Sequence, residues 1–277
     1  PLLAIIPSIG ESYKKDKNHR RRNRKKKLFK FKKPKIIFNV QTLQRRLITH
    51  EDPKSPVSEA YRSLRTSLMY SERDKDSQTI MISSPGPGEG KTTTIINLAI
   101  TYANLGKKTI LVDTDLRKPV LHKVFNFSKD NGLTHYLCNE VSEYTKIIKK
   151  SEVQNLDVIT CGVTPPNPSE IIASEKMADF VKSLKNDYDV ILFDAPPILA
   201  VTDAVILSKY IDQFVLVARV GVTDKGGMKR SIVTTNQIKS KISGIVLNAL
   251  DYKNAYYSGY YYNYYYNYYY GSDQAKS

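Results

Sequence analysis

Cysteine is scarce in this chain of 277 residues. Cys138 and Cys161 stand far apart and in no metal-ligand spacing. That excludes a disulfide framework, a CxxC redox motif and an iron–sulfur carrier built on paired thiolates, and it fits a reducing compartment. No run of about 18 apolar residues occurs, so the sequence holds no membrane-spanning helix. An initiator Met and a signal-peptide pattern are also missing. The opening Pro1-Leu2-Leu3-Ala4-Ile5-Ile6-Pro7 is therefore read as the start of a fragment of a longer chain. Acidic residues are nearly absent from residues 14–35, which hold 14 Lys/Arg and one acid, Asp16. That stretch carries +13 of the formal +16, leaving +3 for the other 255 residues. The basic charge is thus a local device, and the remainder is close to neutral.

Hydrophobic residues make up 41% of the chain, enough for one sizeable α/β domain plus tails. Four segments follow from composition: 1–35, apolar at its start and then polybasic; 36–56, a mixed connector; 57–250, the globular domain; and 251–277, a tyrosine-rich tail. Apolar positions at 57, 60, 61, 64 and 68 predict a helix with Ser58 as its N-cap. Strands are expected over 79–83, 109–113, 157–160, 190–193, 213–218 and 244–248. Helices are expected over 92–105, 174–187, 202–210 and 225–240. This alternation predicts a mainly parallel α/β sheet of the P-loop NTPase type, with helices on both faces.

Polar chemistry stands at the ends of three of these strands. Gly86-Pro87-Gly88-Glu89-Gly90-Lys91-Thr92-Thr93 follows the first. A Gly-rich turn between strand and helix collects backbone N–H groups and the positive helix end around one phosphate. Lys91 would reach the terminal phosphates of a nucleotide, and Thr92 would ligate Mg²⁺. Pro85 stands where the usual pattern has Gly. Asp113 and Asp115 alternate at the next strand end, so both would face one crevice if the chain stays extended. One would hold Mg²⁺ and the other accept a proton. Arg117 would offset phosphate charge or anchor the loop. Asp194 closes a further apolar strand, in the place of a water-mediated Mg²⁺ contact. Asp203 either bonds the loop or caps a helix.

Eleven of the 15 residues from 256 to 270 are tyrosine: Tyr256, Tyr257, Tyr260, Tyr261, Tyr262, Tyr264, Tyr265, Tyr266, Tyr268, Tyr269 and Tyr270. They lack the alternation and aliphatic partners of a packed strand. They read as phosphoacceptors, as a self-associating aromatic segment, or as a base-stacking surface; the last lacks the cations it needs. The polybasic stretch suits an anionic membrane surface better than nucleic acid, because no nucleic-acid-reading motif accompanies it.

Phosphate loop, Asp-x-Asp-x-Arg, Asp-x-Pro-Pro and a terminal tyrosine cluster, in that order, resemble the bacterial tyrosine kinases of capsule and exopolysaccharide export. The resemblance covers about residues 57–270. It implies an ATP- and Mg²⁺-dependent kinase fused to a polysaccharide co-polymerase, at the cytoplasmic face of the plasma membrane. Nucleotide would be bound by Gly86, Gly88, Glu89, Gly90, Lys91, Thr92 and Thr93. Asp113 would be the base beside Lys91, Asp115 and Arg117, and Thr92, Asp115 and Asp194 the metal ligands. Pro1–Pro7 is similar to the segment after the second membrane helix of fused members. Glu59, Arg62 and Arg65 fall on one helical face. By residue type they are a solvated face with a local ion pair; by resemblance they are the helix that joins subunits into a ring, with a tail entering the neighbour's active site. Asn248 matches an adenine-reading Asn of the wider ATPase class. A partition or positioning ATPase would share this fold, but such enzymes carry an extra lysine where this chain has Gly86. A non-enzymatic nucleotide-gated assembly module would require unmodified tyrosines.

Overall fold

The computed structural model describes residues 1–8, 47–71, 77–237 and 240–250. The polybasic stretch, most of the connector and the tyrosine run lie outside the described residues. In chain order the elements are β1 (Leu2–Pro7), α1 (Ile48–Glu51), α2 (Pro56–Ser71), β2 (Gln78–Ser83), α3 (Lys91–Asn104), β3 (Thr109–Asp113), α4 (Leu121–Val124) and α5 (Leu133–Leu137). They continue with β4 (Lys149–Lys150), β5 (Leu156–Ile159), α6 (Pro168–Ile172), α7 (Glu175–Asp187), β6 (Val190–Asp194), α8 (Asp203–Leu207), β7 (Gln213–Arg219), α9 (Lys225–Gln237) and β8 (Ile242–Leu250).

The strands form one sheet in the order β1-β8-β7-β2-β6-β3-β5-β4. Every pairing is parallel except β4 with β5. The central strands are apolar on both faces, and their period of two divides them between two cores. Ile80 and Ile82 of β2 join the layer made with Tyr61, Leu64 and Leu68 of α2 and Ile95, Leu98 and Ala99 of α3. Met81 between them joins the opposite layer, with Met177, Phe180 and Leu184 of α7. Helices therefore cover both faces.

Local readings change at α2 and β5, and the opening apolar run, which the sequence leaves as a short strand or a linker, is a strand. Helix α2 starts at Pro56, two residues before Ser58, and its cap is Ser55, whose Oγ accepts the Ser58 N–H at 3.1 Å. Pro56 fits this first helical position because the missing N–H has no helical partner there. Ser58 turns inward and donates to the Asp52 carbonyl at 2.6 Å. Strand β5 begins one residue earlier than expected. Leu2–Pro7 is an edge strand parallel to β8, so the chain's first residues are part of the sheet. Leu3 fills the space over Gly244, where any Cβ would collide with it.

Candidate active site

Parallel pairing brings the C-terminal ends of β2, β3, β6, β7 and β8 to one edge of the sheet, the edge at which α/β sheets take ligands. Register sets Asp113 directly beside Asp194, and Arg219 beside Asn248. The phosphate loop joins β2 to α3 along this edge. Gly90 caps α3 at φ +98°, and a Cβ there would strike the Asn248 amide, so glycine alone fits. Two strand ends hold the loop's carbonyls. Asn248 Nδ2 donates to Glu89 O at 2.9 Å, and an Arg219 guanidinium N–H to Gly88 O at 3.1 Å.

The ammonium of Lys91 stands between two carboxylates, 2.9 Å from Asp115 Oδ2 and 3.5 Å from Asp194 Oδ1. Burial alone would lower its pKa, but the charges of Asp194 and Asp115 outweigh burial and hold it above the ordinary value. Thr92 Oγ1 donates to Asp194 Oδ2 at 2.7 Å. Burial pushes Asp194 up, against the pull of Lys91 and Thr92. Asp113 is fully buried. Its Oδ2 accepts the Val120 and Leu121 N–H groups at 3.1 Å each, while its Oδ1 has no partner among the described residues. Burial, and then the charge of Asp194, push its carboxyl up to about 8.

A cleft of about 660 Å³ opens over this cluster, lined by Lys91, Thr92, Thr93, Asp115, Arg117 and Asn248 among others. Asp113 does not line it. Strand β3 ends at Asp113, so the alternation that would aim both acids one way stops there. Asp115 turns into the cleft with its Oδ1 on the Lys118 N–H at 3.0 Å. Arg117 is anchored: Asp203, 1% exposed, accepts its Nε at 2.9 Å and an Nη at 3.2 Å. Ser169 Oγ joins both partners, 3.0 Å from Arg117 and 2.6 Å from Asp203. Asp203 thus bonds the loop, while Thr202 holds the cap position of α8. Ser169 lies in Pro165-Pro166-Asn167-Pro168-Ser169-Glu170, a segment that resembles the family's but carries no role assigned from the sequence, and Arg219 is a cation at the end of β7 that the sequence reading does not single out.

Gly86 and Glu89 face a second pocket behind the loop. The Asn248 amide is spent on the loop and on the Ala249 N–H, at 2.8 Å. Glu59, Arg62 and Arg65 lie apart, on α2. Glu59 and Arg62 pair at 2.7 Å, and Arg65 donates to the Thr101 carbonyl at 2.7 Å.

The AAA domain family matches residues 77–247. Tyrosine-protein kinase YwqD of Bacillus subtilis is 40% identical over 74% of this chain and 86% of its own length. Tyrosine-protein kinase Etk of Escherichia coli is 33% identical over 90% of this chain, which spans 33% of that longer protein. The solved kinase domain of Escherichia coli Etk superposes with a TM-score of 0.75 at 29% identity, covering 90% of each chain. With a phosphate loop, a lysine held between Asp115 and Asp194 and this likeness along most of its length, the chain belongs to the bacterial tyrosine-protein kinases.

Proposed function

We propose that this kinase is an ATP- and Mg²⁺-dependent autokinase that phosphorylates the tyrosines of its own tail in trans, between copies of the chain. One observation carries the reading: the Lys91 ammonium stands between Asp115 and Asp194 at the phosphate loop, in a cleft whose wall includes Ala249, two residues before the tyrosine-rich segment. Thr92, Asp115 and Asp194 fit Mg²⁺, because the donor set is one hydroxyl and two carboxylates, leaving positions for phosphate oxygens and water. The bound metal would neutralise charge building on the transferred phosphoryl group.

The chain's own groups supply the rest. Loop amides and the α3 terminus bind the phosphates, and Lys91 follows the charge onto the leaving oxygen. Arg117, fixed by Asp203, presents a cation to the cleft. Asp115 is engaged by the Lys91 ammonium at 2.9 Å. Asp113, with one unpartnered oxygen and a carboxyl pushed up to about 8, is the proton acceptor that the resemblance implies, and it can serve only when ionised. Intact-mass spectrometry with ATP and Mg²⁺ tests the reading. A ladder of single phosphoryl additions, mapped to residues 256–270, is the expected result. ATP turnover without added mass would identify a switch ATPase instead.

Ring assembly through α2 belongs to the same proposal. The Glu59–Arg62 pair is exposed and worth at most about 1 kcal/mol in place, so exchanging it for a neighbour's partner costs little. Replacing both residues with Ala is expected to reduce the assembly seen by light scattering, as is phosphorylation of the tails through mutual repulsion. Unchanged sizes in both cases would remove the ring. The resemblance to export kinases and the cations of residues 14–35 support a place at an anionic membrane, with control of capsule or exopolysaccharide synthesis and export. Each cation near such a surface contributes about 1 kcal/mol until saturation. Deleting residues 14–35 is expected to abolish sedimentation with phosphatidylserine liposomes, and undiminished binding would refute that placement.

A further inference from the structure

The second pocket, of about 390 Å³, lies behind the phosphate loop, between that loop, the segment after β6 and the β7–α9 turn. Pro85, Pro87, Leu199 and Val222 give it apolar walls. Leu199 and Val222 are 40% and 59% exposed at its mouth. The pocket also holds a buried acid. Glu89 lines it at 4% exposure; its carboxylate is met by the Thr223 hydroxyl and the Gly86 backbone, while Glu89 Oε2 itself has no hydrogen-bond partner among the described residues. A buried acceptor without a donor is costly, so this oxygen calls for a ligand that brings one. The other acid of the pocket is already engaged: Asp224 accepts the Gly227 N–H at 2.8 Å at the start of α9.

Pro87 and Ala200 line this pocket and the nucleotide cleft alike, so the two openings meet along one rim. The sequence just beyond β8 matches both. Residues 254–272 carry no charge and are dense in phenol groups, which are donors with apolar bodies. Every tyrosine from 256 to 270 has another within four positions, a reach of at most about 14 Å of extended chain.

We propose that this pocket is a tyrosine-docking subsite. While one tail tyrosine enters the cleft, a neighbouring unmodified tyrosine packs between Leu199 and Val222 and donates its hydroxyl to Glu89 Oε2. The inference rests on the tail being the acceptor. An unmodified phenol satisfies the buried oxygen. A phosphotyrosine, with about −1.5 to −2 charges and no phenolic donor, meets two carboxylates offset by one cation, Arg230. The subsite therefore reads the state of the neighbouring tyrosine, and tail phosphorylation slows as the tail fills.

The test uses the full chain and three kinds of synthetic tail peptide: a single tyrosine, a second tyrosine two to four residues away, and phosphotyrosine in that second place. At one or more of these offsets the second tyrosine is expected to raise kcat/KM about tenfold, and its phosphorylation to cancel the gain. Val222→Asp, at an exposed site outside the nucleotide machinery, is expected to erase the difference while leaving the affinity for a fluorescent ATP analogue unchanged. Leu199→Ser serves as an independent second variant. Equal kcat/KM for all peptides at every offset, or a Val222→Asp loss equally large for the single-tyrosine peptide, overturns the subsite alone. If wild-type protein binds nucleotide but phosphorylates neither peptides nor its own tail, the tail-kinase reading falls and takes the subsite with it.

Discussion

Lys91→Met is expected to remove the phosphoryl ladder, with phosphotransfer falling by at least about 10²–10³-fold, the usual cost of losing one donor aimed at developing charge. The expectation follows from where the ammonium is held. Asp115 and Asp194 hold the Lys91 ammonium at the head of the phosphate loop, beside where the phosphates would lie. Methionine fills similar volume but leaves those two acids facing each other without a cation. The Asp194 carboxyl, already pushed up by burial, then rises further and takes up a proton, which limits the loss of stability. A retained circular-dichroism melt beside absent mass addition separates lost chemistry from lost fold. A full ladder in the variant would mean that the phosphates are bound elsewhere.

Asp113→Asn is expected to move activity and stability in opposite directions. Burial and the neighbouring Asp194 raise this carboxyl from 3.8 to about 8, so the folded, nucleotide-free protein keeps a proton there that the unfolded chain releases above pH 4. The stabilisation is complete below 3.8 and is lost as pH rises through about 8. Asparagine still accepts the Val120 and Leu121 N–H groups and never needs to ionise. The variant should therefore melt higher near pH 8, by an amount on the order of a few kcal/mol, or roughly 5–10 °C, and converge with wild type near pH 4. If Asp113 accepts the tyrosine proton, phosphotransfer falls about 10²–10⁴-fold at the same time. Full activity in Asp113→Asn with loss in Asp115→Asn would give that role to Asp115, the acid that lines the cleft.

Much of this was legible from short-range pattern. Continuous apolar runs ending in Asp113 and Asp194, and a Gly-rich loop before Lys91, place a phosphate site at a parallel sheet edge, because each signal is local in sequence. What escaped was set by distant contacts. Asp113 sinks below the cleft because the backbone leaves the strand after it and returns two amides from Val120 and Leu121. Arg117 takes its direction from Asp203 and Ser169, more than fifty residues away in both cases. Asn248, matched to adenine recognition by resemblance, spends its amide on the phosphate loop, a contact across 159 residues. The start of α2 was misplaced because Ser55 and Ser58 are both capping residues by type, and only the chain's path decides between them.

The edge strand β1 has a mechanical consequence. It and α1 belong to the same sheet-and-helix body, so residues 9–46 leave that body and come back to it. The polybasic stretch is thus joined to that body at both ends. With about 3.4 Å of contour per residue, its midpoint can stand no farther than on the order of 65 Å from the anchors. If those cations are held at a surface, as proposed above, the catalytic edge stays within that radius of it, and copies gathered there would meet at a local concentration set by this length rather than by the bulk.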